Sequence, residues 1–450
     1  MNVDVFADSH TQDAWFGTRH LRPAAPAERI REMLAHEIRD IGWPDQKIVP
    51  AAPLTLPRAS YAELFRASIA LLDLIRRTAL ESGATTRERL AAYRMPEMED
   101  QLFVDDMFVE ERYADCVARP DIVIGPHGPQ FIEFNINAAL GGVVESHCRF
   151  EVWRRLYGDA DTCLPYGYQD PLAARVEMFR TLAAELGVAP RVANVGSLRD
   201  EVGPRLFHVE TDYLNSHGLT ARFFEPEDLH EAWDAPPQLR YPLGLRNFTI
   251  QDWERLGIGL APVQTALDHG CLLLGTQTGV FLTSKMTLGM LSEGRPWMSA
   301  AEKAFVDRYL PWTRVLSERW TTRGDRRVDL ARYALDNRES LVLKEGGGMA
   351  GLQVVIGGQS SQAEWETAVG KAIEEGTSVV QDFVTPRECT LSLIAEGVAE
   401  PYSARVAPVF GPLLLGGRPS GVFVRYFGDG RTGLVNIVGS QCSDTTAVWI

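Results

Sequence analysis

Lysine is scarce in this chain of 450 residues. Of its 45 basic residues, forty are Arg and only five are Lys: Lys47, Lys285, Lys303, Lys344 and Lys371. Most surface positions accept either cation, so each surviving Lys is a candidate for a place that needs a compact ammonium. Cysteine is sparse as well. Cys116, Cys148, Cys163, Cys271, Cys389 and Cys442 form no CxxC pair and no metal-type spacing. That excludes a zinc ribbon or a disulfide scaffold and leads to the expectation of reduced thiols in a cytoplasmic protein. No run approaches the roughly eighteen apolar residues of a membrane-spanning helix. The acidic start, Met1 to Asp8, lacks the basic-then-apolar pattern of a signal peptide. Basic charge is in deficit: 60 acidic residues against 45 basic ones give a net charge of −15 and a pI near 5.2. No basic face for nucleic acid or anionic membrane is therefore expected.

Several catalytic signatures are missing too. Gly370-Lys371 runs into Ala372 with no Gly five residues earlier, so it is not a P-loop. Gly257-Ile258-Gly259 continues as Leu260-Ala261-Pro262, which is not a dinucleotide fingerprint. No GxSxG elbow, HExxH pair or zinc-type Cys/His cluster occurs. His127 reads as a turn residue rather than a base.

What is present is an ordinary globular composition, 45% hydrophobic, with a length expected to make two to four domains or one multi-lobed enzyme. Apolar residues at helical spacing predict helices over Ala27–Asp40 and Tyr61–Glu81, and a third from Thr86 to about Tyr113 broken near Pro96. After Arg119 the texture changes to strand, tight turn and strand: Asp121–Gly125, Pro126–Pro129, Gln130–Asn135. A helix over Pro171–Leu186 follows. Strands at Val192–Val195, Leu206–Val209, Ala221–Phe224 and Cys271–Leu274, with a helix through Leu214, predict a small Rossmann-like layer with a parallel sheet. The last third is strand-rich, at Leu341–Lys344, Leu352–Ile356, Val379–Val384, Thr390–Ala395, Ser403–Val406 and Gly421–Tyr426.

Four segments carry chemistry. In the hairpin, Glu133 and Asn135 share a face, with Ile132, Phe134 and Ile136 on the other. A turn near His127-Gly128 sets Asp121 roughly opposite Glu133. Clustered carboxylates repel unless a cation lies between them, and Asp, Glu and Asn oxygens are the hard ligands that Mg²⁺ prefers. Arg119 shares the Asp121 face and could reach a phosphate oxygen. The same residues also fit the solvated face of an edge hairpin. The second segment, Leu341 to Gly351, ends a strand in Lys344 and then places four Gly within six residues. Backbone N–H groups there can cradle phosphate, although a plain hairpin turn has the same composition. The third runs from Gln381-Asp382-Phe383-Val384 to Glu388, and the fourth, Ser284-Lys285, sits at the start of a helix.

Taken together and in this order, these segments resemble the ATP-grasp superfamily, in particular its circularly permuted branch typified by glutathionylspermidine synthetase. The permuted enzymes place Arg-x-Asp and Glu-x-Asn before the two ATP-binding lysines, as Arg119-Pro120-Asp121 and Glu133-Phe134-Asn135 precede Lys285 and Lys344 here. The resemblance covers about residues 116–450. Gln381 stands where many members have Glu, and Glu345 where Pro is common.

The resemblance implies an α/β protein with a circularly permuted ATP-grasp fold, a Rossmann-like layer and a helical N-terminal section. The implied division is 1–115 for that section, 116–187 for the metal-binding hairpin part, 188–282 for the Rossmann-like domain and 283–450 for the lid and remaining core. It further implies an ATP- and Mg²⁺-dependent ligase joining a small-molecule carboxylate to an amine, an amino acid or short peptide, through an acyl phosphate. A small-molecule kinase and a non-catalytic nucleotide-binding protein are the alternatives. Asp121, Glu133 and Asn135 would hold the metal. Lys285, Lys344, Gly346, Gly347 and Gly348 would hold the phosphates, and Gln381, Asp382, Phe383, Val384 and Glu388 the nucleoside. Arg119 would act on the transferring group, with Arg425 and Arg405 on the substrate carboxylate. The partners implied are small-molecule substrates, with neither nucleic acid nor membrane; a homodimer is compatible with the reading.

Overall fold

The computed structural model describes residues 6–8, 14–39, 41, 46–95, 98, 101–137, 139–158, 163–200, 203, 205–347, 353–429 and 442–450. The fold is mixed α/β. Its centre is a six-stranded sheet in the order Leu54–Leu56, Ser443–Trp449, Arg418–Tyr426, Val409–Leu415, Val117–Gly125, Gly128–Ile136. The first pair is parallel and the rest antiparallel. Successive residues of a strand face opposite sides, and here the two sides differ in kind. Ile122, Phe410 and Val424 are fully buried in one core with Leu64, Leu71 and Ile75 of the helix Arg58–Leu80. Arg119, Asp121 and Arg425 alternate with that apolar set. On their side the helix Val143–Tyr157 begins: Arg119 Nη1 donates to the Gly141 carbonyl (2.5 Å), and a Cβ on Gly142 would lie 2.9 Å from the Phe423 ring. Further along that helix, Arg149 is ion-paired with Asp444, both fully buried.

A second sheet has four strands, all parallel, in the order Leu272–Leu274, Leu243–Arg246, Arg191–Val195, Thr220–Phe224. Leu206–Val209, expected as a strand, lies within the helix Arg205–Ser216 instead. The buried positions Phe207, Glu210, Thr211 and Leu214 follow a helical period, so the short apolar run is one edge of a helix face. The strand Leu243–Arg246 contains Gly244, where a Cβ would stand 2.6 Å from the Ala193 carbonyl and 2.5 Å from Leu273.

The third sheet is antiparallel, in the order Thr313–Val315, Ser378–Asp382, Leu341–Glu345, Val354–Ile356. The helix Gln362–Glu375 packs on it through Trp365 and Val369. That helix starts in a reciprocal cap between Ser361 and Glu364 and stops at Gly376 in the left-handed region, so its ends are fixed by local chemistry.

The N-terminal section contains the expected helices as Ala27–Glu37 and Arg58–Leu80, and the third stretch as two shorter ones, Thr86–Tyr93 and Met107–Arg112; Pro96 lies outside the described residues. It also supplies strands to sheets built mainly from the C-terminal third. Ile48–Pro50 pairs with Cys389–Ala395, and Leu54–Leu56 closes the central sheet. Among the described residues no helix is long and apolar enough to cross a membrane.

Candidate functional site

The hairpin Val117–Gly125/Gly128–Ile136 carries a β-bulge that fixes the site. Ile122 pairs with Phe131 but Asp121 pairs with Glu133, so Ile132 has no partner in the ladder. The extra residue brings Phe131, rather than Ile132, to the core face beside Phe134; the two rings stack with centroids 5.6 Å apart. The expectation that Ile132 joins Phe134 in the core is corrected by this bulge, which shifts the alternation by one residue. The bulge also puts Arg119 opposite Asn135, whose Nδ2 donates to the Arg119 carbonyl (3.2 Å). The freed carbonyl of Ile132 accepts a hydrogen bond from Lys344 Nζ (2.8 Å).

The carboxylates meet cations rather than each other. Asp121 Oδ1 lies 2.6 Å from Arg425 Nη2 and 3.5 Å from Arg119 Nε. Glu133 Oε1 lies 2.8 Å from Lys285 Nζ. Burial raises the Asp121 carboxyl, but the Arg425 and Arg119 guanidiniums more than offset it and hold it below the ordinary range. Burial also pushes the Lys344 ammonium down to about 8, partly countered by Glu133 and helped by Lys285. Among the described residues no three His, Cys, Asp or Glu side chains are placed to share a metal. The available donor set is two carboxylates and one amide on facing strands, hard oxygens that suit Mg²⁺ with water and phosphate completing its shell.

Lys285 and the glycine segment are joined through backbone. Ser284 caps the helix Lys285–Glu293, its Oγ accepting from Met286 N. Lys285 N donates to Gly346 O (2.9 Å), and Gly346 N to Thr377 O (3.0 Å). A Cβ on Gly346 would stand 2.4 Å from the Thr377 carbonyl, so only glycine fits this crossing. Gly347 is open, its nearest neighbour Met95 Cε at 3.8 Å. Gly348 lies outside the described residues.

The side chain of Gln381 is directed to Lys344: its Oε1 accepts from Nζ (2.7 Å) while its Nε2 donates to Thr313 Oγ1 (3.0 Å). The strand ends at Asp382, short of the expected Val384. Asp382 pairs with Arg323 (2.7 Å) and its N donates to Trp312 O. Phe383 N donates to Ser340 O, and its ring is half exposed. Val384 packs on Gly125 of the hairpin. Glu388 pairs at the surface with Arg405 (2.7 Å), whereas Arg425 is buried on Asp121.

The structure thus brings Arg119, Asp121, Glu133, Asn135, Lys285, Lys344, Gln381 and Arg425 into one connected cluster. It keeps Glu388 and Arg405 as an exposed pair of their own. Thr313, which anchors Gln381, carries no signal of its own in the sequence beyond a short strand pattern.

Solved structures resemble this molecule, one of them over nearly its whole length. That structure is a glutathione synthetase-like effector from Globodera pallida in its apo form. The match has a TM-score of 0.60 at 11% identity and covers 94% of this chain and 96% of that one. The two share a fold. No family model matches the sequence, and no curated protein does.

Proposed function

We propose that this protein is an ATP-dependent carboxylate–amine ligase with a circularly permuted ATP-grasp layout. It would join small molecules, amino acids or short peptides, by an amide bond and release ADP and phosphate. The observation that carries this reading is the convergence of both rare lysines, Lys285 and Lys344, on the carboxylate hairpin.

Phosphoryl transfer asks little covalent work of a protein; positioning and charge neutralisation supply most of the rate. Lys285 and Lys344 would hold nucleotide phosphates as point charges, each held ready by Glu133 or Gln381. Arg119 and Arg425 would stabilise charge developing on the transferring group and the substrate carboxylate. Asp121, Glu133 and Asn135 would hold Mg²⁺, which when bound neutralises phosphate charge. The segment from Gly346 would cover the nucleotide and keep water from an acyl phosphate.

The test is to incubate the purified protein with ATP, Mg²⁺ and pools of amino acids, following phosphate and amide products together. Phosphate release that requires two substrates and yields an amide by mass spectrometry is the expected result. Phosphate without amide would replace the ligase by a kinase. No nucleotide-dependent thermal shift would remove both.

A further inference from the structure

Lys344 ends in a buried ammonium with three N–H donors. Two of them meet acceptors, the Ile132 carbonyl at 2.8 Å and Gln381 Oε1 at 2.7 Å. The first acceptor is backbone, aimed by the bulge that leaves Ile132 without a partner in the ladder. The second belongs to a primary amide, whose direction is not given by its shape. The oxygen and the NH2 group are nearly alike in size, so a half-turn about the last side-chain bond fits the same space. One state presents an acceptor to the ammonium, and the other sets N–H against N–H. A carboxylate would present oxygen either way, but an amide has to be turned.

Thr313 does the turning. It stands directly opposite Gln381 on the neighbouring strand, and its own backbone is fixed by a hydrogen bond from Thr313 N to Ser292 Oγ (3.0 Å). A hydroxyl has one proton to give, and Thr313 Oγ1 gives it to the Pro311 carbonyl (2.8 Å). Toward Gln381 only lone pairs remain, so Oγ1 accepts from Nε2 (3.0 Å). The result is a chain with one direction: Lys344 donates to Gln381, Gln381 to Thr313 and Thr313 to Pro311. Reversing the amide would lose two links together. Its oxygen would face a hydroxyl with no proton left, and its NH2 group would face the ammonium. Thr313 and Gln381 are both buried, so bulk water does not replace a lost link, and links in such a chain strengthen one another.

We propose that Thr313 is a positioning residue for Lys344: acting through Gln381, it sets the acceptor that holds the ammonium and so aims the remaining N–H. Among the described residues that third N–H has no protein acceptor. With two of the three tetrahedral directions of the ammonium fixed, the third is fixed as well. That it meets a nucleotide phosphate rests on the function proposed above; the coupling of Thr313 to Lys344 does not.

The experiment introduces Thr313→Val, which keeps the shape and removes the hydroxyl, into three full-length chains: the parent, Lys344→Met and Gln381→Glu. In thermal melts without ligand, Thr313→Val should lower the midpoint at least about twice as far in the parent as in Lys344→Met, because only the parent has an ammonium that loses its acceptor. In calorimetry with ATP and Mg²⁺, Thr313→Val should weaken binding about tenfold in the parent, the scale of a hydrogen bond to a charged group, and less than about twofold in Gln381→Glu. Thr313→Ser, which keeps the hydroxyl, should bind like the parent. Equal midpoint losses in the parent and Lys344→Met overturn the proposal, as do equal affinity losses in the parent and Gln381→Glu. If the valine chain does not fold, about tenfold weaker binding by Thr313→Ser overturns it. A parent chain that binds no ATP would remove the ligase reading instead, and the melts would still decide the role of Thr313.

Discussion

Arg425 reaches Asp121 across an intervening strand. Its Nη2 lies 2.6 Å from Oδ1, yet Arg418–Tyr426 and Val117–Gly125 are each paired with Val409–Leu415, not with one another. Room for the cluster is made at Gly411 of that middle strand, where a Cβ would stand 2.8 Å from Arg119 Cδ. Two guanidiniums, Arg119 of the same strand and Arg425 from two strands away, are thereby held around one buried carboxylate.

Neutralising that carboxylate leaves two guanidiniums buried without their anion. Asp121→Asn is expected to lower stability by about 3 kcal/mol in urea titration, the scale of a broken buried pair. Replacing Arg425 by Met in the same chain should recover part of the loss. In the proposed reaction, Asp121→Asn and Glu133→Gln should each cut turnover about a hundredfold or more, as for a lost metal ligand or transition-state contact. Near-normal turnover in both would mean the metal site is elsewhere.

The two described glycines after Lys344 should respond differently. Gly346→Ala drives a Cβ into the Thr377 carbonyl and should cost about 1–3 kcal/mol of stability, with weaker nucleotide binding. Gly347→Ala meets only ordinary contact and should leave the melting temperature close to the parent's. Equal effects at both positions would contradict the close crossing described here.

Lys344 makes stability depend on pH. Its ammonium titrates at about 8 when folded and near 10.5 ordinarily. Below pH 8 both states keep the proton and the folded state bears the full cost of the buried charge. Between about 8 and 10.5 the folded state releases its proton first, so stability rises with pH, by about 3 kcal/mol in all. Subtracting the unfolding free energies of Lys344→Met from those of the parent across this range should isolate the rise. Affinity for ATP should move the other way, falling above pH 8 as the ammonium is lost.

Glu388 separates binding from stability. Its pair with Arg405 is exposed, and such pairs contribute about 0–1 kcal/mol. Glu388→Gln should therefore leave unfolding nearly unchanged. If the carboxylate holds the ribose of the nucleoside, as the family resemblance implies, ATP affinity should fall about tenfold, the scale of a charged hydrogen bond. Unchanged affinity, read by calorimetry, would place the ribose elsewhere.

The sequence by itself determined the composition of the site. Against forty Arg, Lys285 and Lys344 are conspicuous, and alternation along a strand is enough to set Glu133 and Asn135 on one face. Local chemistry also fixed the helix from Lys285 and the hairpin. The middle of the central sheet is less legible: every residue of Val409–Leu415 is buried, so no polar–apolar alternation marks that strand. Leu206–Val209 is ambiguous for a related reason, since four residues are too short to separate a strand from a helix edge.

Only the tertiary structure decided how the charges are partnered. Pairing of residues more than a hundred positions apart depends on register, and register here turns on one bulged residue, Ile132. That residue sets Asp121 against Glu133 and offers a carbonyl to Lys344, while the registers through Val409–Leu415 bring Arg425 to Asp121 from two strands away. The scarce lysines could be recognised in the sequence, but their partners follow from contacts that no local spacing encodes.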